Sequence, residues 1–537
     1  MLTIEEIERG RWDCLVVGTG IGGATLGSVL ANAGWQVLFV EKGRAAFRHD
    51  DALRGTYPES SMRSAEAASL AHASLLARAG RCHEEIQDGR HSFVPYIGCG
   101  SGGSSALYGM AMERFFPADF EPRRNFPDQR GSSLPDAWPV GYNDMTSYYQ
   151  RAEALYRVRG GRDPTSAFDS HALDTRSLSP SNAELCSHFQ RLGLHPYRLP
   201  LACECIPGCE CCQGYLCAHG CKNDSSRICL EPAVRRDGAT LLDECEVTRL
   251  EAGPDRVTAV IGRWQGRSVT LKADHVVLAA GALMTPALLL RSASTDWPQG
   301  MANSSGQVGK NLMRHCIDLY LVFPRNRRDS GFKQFGLNDF YQSAEGKLGT
   351  VQSFGRLPPP AVLAADMIKD VQSVRPWASP LLKFAQPALR GMLSRPLRRG
   401  VLLAGIMEDL PYAANRITPG PPLGIHYELH LYELARLRAF RKRVAKALRP
   451  YRFLRIRQAE KNVMLAHACG TCRFGEDPSL SVLDPYNKAH GMRNLHVVDS
   501  SFFPSSGGTN PALTIAANAL RVADHLLSER GSAPRSG

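Results

Sequence analysis

The chain has 537 residues, of which 43% are hydrophobic, so it is long enough to bury a large core and exceeds the usual size of one domain. We therefore expect two interleaved domains and not a disordered chain. Its formal net charge is +12. The excess basic residues lie in arginine-rich stretches and not in a recognised nucleic-acid module, so we expect no nucleic-acid partner.

The N-terminal residues lack the pattern of a secretory leader. Met1 to Arg11 contain three glutamates and no apolar core. The longest apolar stretch, Val276 to Leu290, is interrupted by Gly281 and Pro286, so it does not predict a membrane span. These patterns predict a cytoplasmic protein.

A strand, a helix and a second strand are predicted near the N-terminus. Asp13 to Val17 predicts a buried strand, Ala24 to Ala33 a helix, and Gln36 to Val40 a second strand. The loop Gly18-Thr19-Gly20-Ile21-Gly22-Gly23 joins the first strand to the helix, and Glu41 follows the second strand. A G-x-G-x-x-G loop in this context, with an acidic residue roughly 20 positions later, predicts a dinucleotide-binding fold.

The glycines of this loop have distinct physical roles. Gly18 permits the tight turn, Gly20 lets the backbone approach the pyrophosphate, and Gly23 lets the helix pack on the strand. The first turn of the helix offers its N–H groups to the phosphates. Glu41 is expected to accept hydrogen bonds from the ribose hydroxyls, which disfavours a ligand with a 2′-phosphate.

Further strands are predicted far from the N-terminus. Leu241 to Leu250 and Val257 to Gln265 alternate apolar and polar residues, as the strands of a hairpin do. Asp274 to Gly281 predicts another strand that runs into a glycine turn. The nucleotide-binding domain is therefore expected to consist of separated segments, with a second domain between them. Phe323 to Leu402 is rich in proline and basic residues and lacks strand periodicity, which predicts a long insertion or lid.

Four further motifs occur in a fixed order along the chain. They are Gly98 to Ser105, Gly281 to Leu290, Val308 to His315, and a C-terminal motif made of His467 to Arg473, Asn494 to Ser501 and Gly508 to Pro511. Together with the first glycine loop, these motifs are similar to those of the glucose–methanol–choline (GMC) oxidoreductases. The chain departs from the family at Tyr108 and Gly109, where many members have an asparagine, and at Arg314, where an acidic residue is common.

The resemblance implies an α/β fold. A Rossmann-type FAD-binding domain built from discontinuous segments is expected, with an α+β substrate domain that contains an antiparallel sheet. The segments expected to bind FAD are 1–120, 235–315 and 460–537. The segments expected to bind substrate are 121–234 and 316–459, which include a cysteine-rich loop at 203–229 and the lid-like insertion at 323–402.

FAD is the cofactor that the resemblance implies. The second glycine-rich loop, around Gly102, suits a place against the flavin because the backbone itself touches the cofactor there. The residues expected to contact FAD are Gly18, Gly20, Ile21, Gly22, Gly23, Glu41, Lys42, Gly102, Gly103, Ser104, Val247, Asp499, Ser500, Asn510 and Pro511.

The same resemblance identifies two candidate catalytic residues. By their positions in the C-terminal motif, His467 and Asn510 are expected to flank the substrate hydroxyl in front of flavin N5. Alcohol oxidation removes the hydroxyl proton while a hydride leaves the carbon, so a base and an orienting group are needed. Histidine can accept the proton near neutral pH, and the Asn510 amide can donate to the alkoxide-like oxygen. A helix that begins near Ala512 would direct its N-terminus at the charge of the reduced flavin.

Four other features are interpreted mainly in structural terms. His315 is expected to close a turn, and His496 lies inside an apolar strand. Leu434 to Val444 predicts a surface helix with an apolar face and a basic face. Val374 to Arg399 is expected to cover the pocket as a lid or, alternatively, to contact an anionic membrane.

Seven of the 16 cysteines lie in one loop. They are Cys203, Cys205, Cys209, Cys211, Cys212, Cys217 and Cys221. In a cytosolic chain, such crowding indicates metal or redox chemistry before disulfides. The loop resembles an element of bacterial FAD-dependent glucose dehydrogenases in which three cysteines hold an iron–sulfur cluster, and by position these are Cys211, Cys217 and Cys221. Zinc bound by four of the cysteines, reduced thiols and disulfides are the alternatives.

The sequence thus predicts FAD-dependent oxidation of a small-molecule alcohol, of sugar-like or long-chain type. Electrons are expected to pass to an external acceptor, either a protein or a quinone. An alcohol oxidase that uses oxygen, a protein like the hydroxynitrile lyases, and a flavoprotein without catalytic activity are the alternatives. The glucose dehydrogenase resemblance also leaves open export together with a partner subunit.

Overall fold

The computed structural model describes residues 2–532 except for 61–69, 90, 167–171, 175, 327–331, 344–345, 356–358, 361–362, 365–367, 369–370, 372–383 and 463–464. A parallel sheet and a larger antiparallel sheet organise this part of the chain. The predicted fold class, a Rossmann-type domain with a second α+β domain, is confirmed.

The strand that precedes the first glycine loop lies at the centre of a five-stranded parallel sheet. Its apolar run is continuous and not alternating, as expected for a strand that is covered on both faces. Cys14 pairs with His275 on one side and with Val37 on the other. The strands, in spatial order, are Leu495–Val497, Ala273–Leu278, Trp12–Val17, Val37–Val40 and Thr240–Leu242. They come from all three segments expected for the FAD-binding domain, whose boundaries stay a prediction.

Helices cover the parallel sheet. The helix Ile21–Asn32 follows the first glycine loop and packs against the C-terminal helix Ala512–Ser532. Gly27 permits this helix to lie close to the sheet, because a Cβ there would lie 2.4 Å from the Phe39 ring. The main helices are Ile4–Arg9, Ile21–Asn32, Leu70–Arg78, Tyr142–Leu155, Pro180–Arg191, Gly281–Arg291, Gln386–Arg399, Leu431–Ala447 and Ala512–Ser532.

The second large sheet has six strands and is antiparallel. In spatial order they are Arg452–Ile456, His315–Phe323, Val401–Glu408, Thr350–Ser353, Phe335–Leu337 and Tyr197–Arg198. The predicted hairpin is present as Cys245–Ala252 and Val257–Trp264, which form a three-stranded antiparallel sheet with Arg267–Leu271. The first predicted strand, Leu241 to Leu250, is divided, because Thr240–Leu242 pairs in the parallel sheet instead. A four-stranded sheet contains Arg416–Thr418, Leu423–His426, Ile86–Asp88 and His91–Phe93.

The described part of segment 323–402 contains four short strands that its sequence did not indicate, Phe335–Leu337, Gln342–Ser343, Gly346–Lys347 and Thr350–Ser353. Phe335–Leu337 and Thr350–Ser353 are fully buried in the antiparallel sheet, so these parts are not a covering lid. Strands of three or four residues that are buried on both faces have no alternation to detect. Of the expected lid or membrane-contacting stretch, residues 374–383 lie outside the described residues, and Gln386–Arg399 forms a helix.

The predicted basic helix is Leu431–Ala447. Its apolar face is buried through Leu437, Phe440 and Val444, as the spacing predicts. Arg441, on the same helix, is also buried, where it pairs with Asp318. Among the helices that the structure describes, none is both long and apolar enough to cross a membrane.

Candidate active site

The first glycine loop leaves space in front of a helix N-terminus. Gly18 has a φ of +95°, and a Cβ there would lie 2.6 Å from the Ala279 carbonyl oxygen, so only glycine fits. A Cβ on Gly20, by contrast, would meet no atom within 4 Å. Gly20 is also the N-cap of the helix Ile21–Asn32, and no side chain caps its first turn. Uncapped N–H groups that face open space suit the phosphates of a dinucleotide.

The second glycine loop contacts the first. A Cβ on Gly103 would lie 3.2 Å from the Gly20 Cα, and both Gly102 and Gly103 have positive φ. Ser104 fixes the far side of this loop, where its Oγ accepts a hydrogen bond of 3.1 Å from the Gly98 N–H. The residues predicted to line the pyrophosphate therefore form one continuous surface.

Glu41 joins the two loops. It is buried, and its carboxylate accepts four hydrogen bonds of 2.7–3.1 Å, from the N–H and hydroxyl of Thr19 and from the N–H groups of Gly43 and Gly100. Burial raises the pKa of this carboxyl group. These donors match the roughly four acceptor positions of a carboxylate. Glu41 thus holds the cofactor loops together, and its contact with the ribose stays a prediction.

Two further residues expected at the cofactor lie beside Glu41. Lys42 forms ion pairs with Glu84 and, at 3.0 Å, with Glu246. Val247 follows Glu246 in the strand Cys245–Ala252 and is partly buried against the main core. The expected cofactor residues of this region therefore share one neighbourhood.

The C-terminal motif is anchored by Asp499. Its carboxylate accepts hydrogen bonds from the Gly281 N–H at 2.9 Å and from the Ser501 N–H at 2.8 Å. Burial raises its pKa. The neighbouring Ser500 donates to the Ala468 carbonyl oxygen at 2.7 Å, so this turn supports the segment that carries His467.

His467 has a left-handed backbone conformation, with a φ of +60°. This conformation is uncommon for a residue with a Cβ, and such residues concentrate at functional sites. The flanking backbone is fixed because Met313 and Cys469 exchange two hydrogen bonds of 3.0 Å. Burial, His315 and Lys333 together lower the pKa of His467 well below 6.5. His467 is therefore neutral at physiological pH.

His315 contacts His467 directly. The two Nδ1 atoms are 2.8 Å apart, and the rings are nearly perpendicular. The Nε2 of His315 lies 3.0 Å from the Gly507 carbonyl oxygen and 3.2 Å from that of Ser506. Burial lowers the pKa of His315 to about 4, so this ring too is neutral near pH 7.

These contacts determine the tautomer of both rings. The carbonyl oxygens can only accept, so the single proton of neutral His315 is on Nε2. His315 Nδ1 then accepts a hydrogen bond, and His467 must donate from its own Nδ1. A neutral imidazole with a protonated Nδ1 has its lone pair on Nε2. His467 therefore carries an unprotonated Nε2 that is available as a base.

Asn510 is oriented in a similar way. Gln352 donates from its Nε2 to the Asn510 Oδ1 at 2.7 Å and to the Glu113 carboxylate at 2.5 Å. Thr509 also donates to Glu113, at 2.8 Å. Glu113 and Gln352 are almost completely buried, with 5% and 1% of their surfaces exposed. With its oxygen engaged by Gln352, Asn510 retains its NH₂ group as a donor.

His315, Glu113, Gln352 and Lys333 are the site residues that sequence reasoning missed. His315 ends a motif, so its position was a usable signal, but it was expected to be structural. Lys333 is 5% exposed, and burial lowers its pKa to about 8. Lys333 and Gln352 lie in segment 323–402, which contains none of the family motifs, so no sequence pattern indicated them.

His496 lies in the buried strand Leu495–Val497, as expected. Neither ring nitrogen has a hydrogen-bond partner among the described residues. Burial, together with His275 and Lys488, lowers its pKa to about 3. This histidine belongs to the core of the parallel sheet and not to the site.

The cysteine-rich loop is also brought together, although in a different grouping from the expected one. The Sγ atoms of Cys203, Cys205 and Cys209 all lie within 4.8 Å of one another. Of the three expected iron–sulfur ligands, Cys217 and Cys221 have Sγ atoms 3.6 Å apart, and the thiol of Cys211 interacts with those of Cys205 and Cys209. All 16 cysteines are unpaired by disulfides.

A dinucleotide fold with two touching glycine loops and a pair of neutral, hydrogen-bonded histidines defines a cofactor-dependent oxidoreductase. The family model described as GMC oxidoreductase matches residues 13–317, and a second model with the same description matches residues 421–519. The chain belongs to the GMC oxidoreductases, a family of FAD-binding flavoproteins.

Similar proteins extend over nearly the whole chain. The 6'''-hydroxyparomomycin C oxidase of Streptomyces lividus is 27% identical over 97% of this chain and 93% of its own length. The 2-methyl-1,2-propanediol dehydrogenase of Mycolicibacterium austroafricanum is 26% identical over 96% of this chain and 95% of its own length. The crystal structure of pyridoxine 4-oxidase from Mesorbium loti shares the fold with a TM-score of 0.62 and 19% identity, over 96% of this chain and 99% of that one.

Proposed function

We propose that this protein oxidises a primary or secondary alcohol, with His467 as the base and Asn510 as the orienting donor. The contact between His315 and His467 carries this proposal, because it leaves a lone pair on His467 Nε2. FAD, when bound, supplies the acceptor for the hydride that leaves the carbon. Side chains of this protein remove the hydroxyl proton and stabilise the charge that develops on the substrate oxygen.

The residues proposed to hold FAD are those of the two glycine loops and the C-terminal motif. The uncapped helix N-terminus at Gly20 would bind the pyrophosphate. Backbone groups around Gly102 and Ser104 would approach the flavin. Asp499 and Ser500 would support this surface from the C-terminal side, and Pro511 precedes the helix Ala512–Ser532.

The proposed base is a histidine that is neutral before substrate binds. His467 Nε2 accepts the hydroxyl proton, and the hydrogen bond from Nδ1 to His315 holds the second ring proton in place while it does so. General-base catalysis of this kind typically contributes about 10²–10⁴-fold to the rate. Burial, with smaller contributions from His315 and the buried cation Lys333, keeps the pKa of His467 low and so keeps the base unprotonated.

Asn510 acts as a donor because Gln352 occupies its oxygen. Its NH₂ group would stabilise the negative charge that develops on the substrate oxygen as the proton leaves. Fixed donors at developing charge are typically worth about 10²–10³-fold in kcat. Glu113 supports this arrangement by accepting hydrogen bonds from both Gln352 and Thr509.

A hydroxyl-rich substrate fits this site better than a long-chain alcohol. Glu113 and Gln352, which lie next to Asn510, are in contact with further polar side chains. Tyr197 donates a hydrogen bond to Glu113, and Asn338 donates one to Tyr197 at 2.9 Å. Among the described residues, the buried Gln352 Oε1 and Asn338 Oδ1 have no hydrogen-bond partner, and buried polar atoms without partners favour ligands that satisfy them. The names of the two relatives, which specify 6'''-hydroxyparomomycin C and 2-methyl-1,2-propanediol, agree with this proposal.

The experiment is anaerobic mixing of the holoenzyme with a panel of sugars, aminocyclitols, diols and long-chain alcohols. Bleaching of the flavin absorption by a polyhydroxy compound is the expected result. Activity on a cyanohydrin without bleaching would identify a lyase instead. His467→Ala should abolish bleaching, with the exposed His426→Ala as a matched control. Equal bleaching in both variants would refute the role of His467.

Electrons are proposed to leave through an external acceptor other than oxygen, such as a protein or a quinone. One relative is named an oxidase and another a dehydrogenase, so the acceptor needs its own measurement. The reduced enzyme is mixed in turn with oxygen, a soluble quinone and an artificial dye. Reoxidation by quinone or dye that is faster than by oxygen is expected, and the reverse order would identify an oxidase.

A further inference from the structure

An acidic cleft adjoins the site on the side of Asn510. Its polar lining includes Glu113, Asp163, Tyr197 and Asn338. The cleft has a volume of about 40 Å³. Because one water-sized group needs about 10–15 Å³, there is room for a group of a few heavy atoms. Gln352 donates from Nε2 to both the Glu113 carboxylate and the Asn510 Oδ1, so a single side chain separates the cleft from the proposed orienting donor.

Two carboxylates line this cleft without a paired cation. Glu113 is 5% exposed, and Asp163 is half-buried. Among the residues that the structure describes, no lysine, arginine or histidine forms an ion pair with either group. Arg114 also lines the cleft, but its guanidinium donates to Glu153 at 2.7 and 2.8 Å. Lys333 interacts with Glu113 electrostatically and does not pair with it.

Two buried amide oxygens near these carboxylates also lack a partner. Asn338 is 4% exposed, and its Nδ2 donates to the Asp163 carboxylate and to the Tyr197 hydroxyl, both at 2.9 Å. Both hydrogens of this amide are therefore used. In the described part of the chain its Oδ1 has no hydrogen-bond partner, and neither has the Gln352 Oε1. A buried acceptor that is left unpaired costs free energy, so both oxygens are complementary to a donor from a ligand.

We propose that the acidic cleft binds a primary ammonium group of the substrate. Given the proposed function, on which this inference rests, the alcohol oxidised at His467 would be an amino alcohol or an amino sugar. An ammonium has three donors, no acceptor and one positive charge. It therefore supplies donors to the unpaired oxygens and offsets the charge of Glu113 and Asp163. A hydroxyl supplies one donor and no charge, so it matches the cleft less well.

The cleft and the hydroxyl-binding residues would hold two parts of one molecule. The hydroxyl would lie between His467 and Asn510, and the ammonium would lie beyond Gln352, at Glu113. An analogue without the amino group would leave the carboxylates of the cleft without a cation. Sites built to hydrogen-bond a substrate group discriminate strongly against analogues that lack it, because buried polar groups are then left unpaired. We therefore expect the enzyme to prefer the amino compound.

The first test measures binding without turnover. Ethylammonium has no hydroxyl group, so it cannot be oxidised as an alcohol, and isothermal calorimetry measures its affinity for the oxidised holoenzyme. Asp163→Asn keeps the size of the side chain but removes its charge, and should weaken binding about 10-fold. Asp136→Asn, at a side chain that is 98% exposed, is the matched control and should bind as the wild type does. Absence of binding to the wild type, or equal binding to both variants, would overturn the proposal.

A second ligand distinguishes a primary ammonium from cations in general. Tetramethylammonium carries the same charge but has no N–H donor, so it should bind at least about 10-fold more weakly than ethylammonium. This comparison uses the wild-type holoenzyme, so it remains decisive if Asp163→Asn fails to fold. Equal or tighter binding of tetramethylammonium would refute a site that donors from nitrogen satisfy.

The third measurement connects the cleft with catalysis. Anaerobic flavin bleaching is followed with amino alcohols and amino sugars, each paired with the analogue that has a hydroxyl in place of the amino group, such as glucosamine with glucose. The amino member should have the higher kcat/KM, and Asp163→Asn should lower that value about 10-fold and leave the analogue unchanged. Faster bleaching by the hydroxyl member of every pair would contradict the proposal. If no alcohol bleaches the flavin although ethylammonium binds as expected, the proposed function fails and the ammonium site stands.

Discussion

The Nδ1 atoms of His315 and His467 are 2.8 Å apart, although the residues are separated by 152 positions in the chain. His315 cannot accept at Nε2 because that nitrogen lies against two carbonyl oxygens. It therefore accepts at Nδ1, and His467 must present its lone pair on Nε2. A residue expected to be structural thus sets the protonation pattern of the proposed base.

His315→Leu should lower kcat by about 10²-fold, because His467 is then no longer held in the tautomer that leaves Nε2 unprotonated. His315→Gln should recover most of this loss, since its amide oxygen can accept from His467 and its NH₂ can donate to the Gly507 carbonyl oxygen. Steady-state kcat and KM measure both. A Leu variant with the kcat and pH profile of the wild type would refute the positioning role.

The acidic limb of kcat/KM should lie below pH 6.5, because burial, His315 and Lys333 lower the pKa of His467. Removing a neighbouring positive charge stabilises the imidazolium. Lys333→Met should therefore shift the limb to higher pH, while Lys333→Arg should leave it nearly unchanged. A pH profile of all three enzymes tests this, and a limb that moves to lower pH in Lys333→Met would contradict the assignment.

Asn510→Ala should lower kcat by about 10²–10³-fold with a smaller effect on KM, as expected for a donor to developing charge. Gln352→Leu should have a smaller effect, because it removes only the group that orients Asn510. If Gln352 acts through Asn510, the double variant should be no slower than Asn510→Ala alone. Fully additive losses in this double-mutant cycle would show that Gln352 acts separately.

His496→Leu should make the protein less sensitive to acid. Burial lowers the pKa of His496 to about 3, so the unfolded chain binds a proton between pH 6.5 and about 3 that the folded chain does not. The stability contribution of this residue therefore falls as the pH drops below 6.5. From about pH 7 to about pH 5 the wild type should lose about 2 kcal/mol of unfolding free energy more than the variant. Denaturant unfolding at both pH values measures this difference, and parallel losses would contradict it.

The glycine loop and its strands could be predicted because their signals are local. Gly18 needs a positive φ, and Glu41 follows the next strand at a characteristic distance. The C-terminal motif marked His467 and Asn510 in the same way. The short strands Phe335–Leu337 and Thr350–Ser353 could not be predicted, because their burial depends on pairing with residues far away in the chain.

The cysteine loop shows a different limit. Seven cysteines between 203 and 221 permit many sets of three or four ligands, and spacing alone does not choose among them. The choice depends on which Sγ atoms face each other once Cys203 pairs with Lys222. Local sequence thus indicated that thiols are crowded there, and the folded backbone brings the sulfur atoms of Cys203, Cys205 and Cys209 together.

By itself, the sequence determined the class of this protein, because the backbone that holds a dinucleotide requires glycine and helix termini at fixed local spacings. Only the tertiary structure decided how the site is supported. His315 meets His467, and Gln352 meets Asn510, across more than 150 residues of chain. The proton position of a histidine and the orientation of an amide depend on such partners, which become neighbours only when the two sheets have formed.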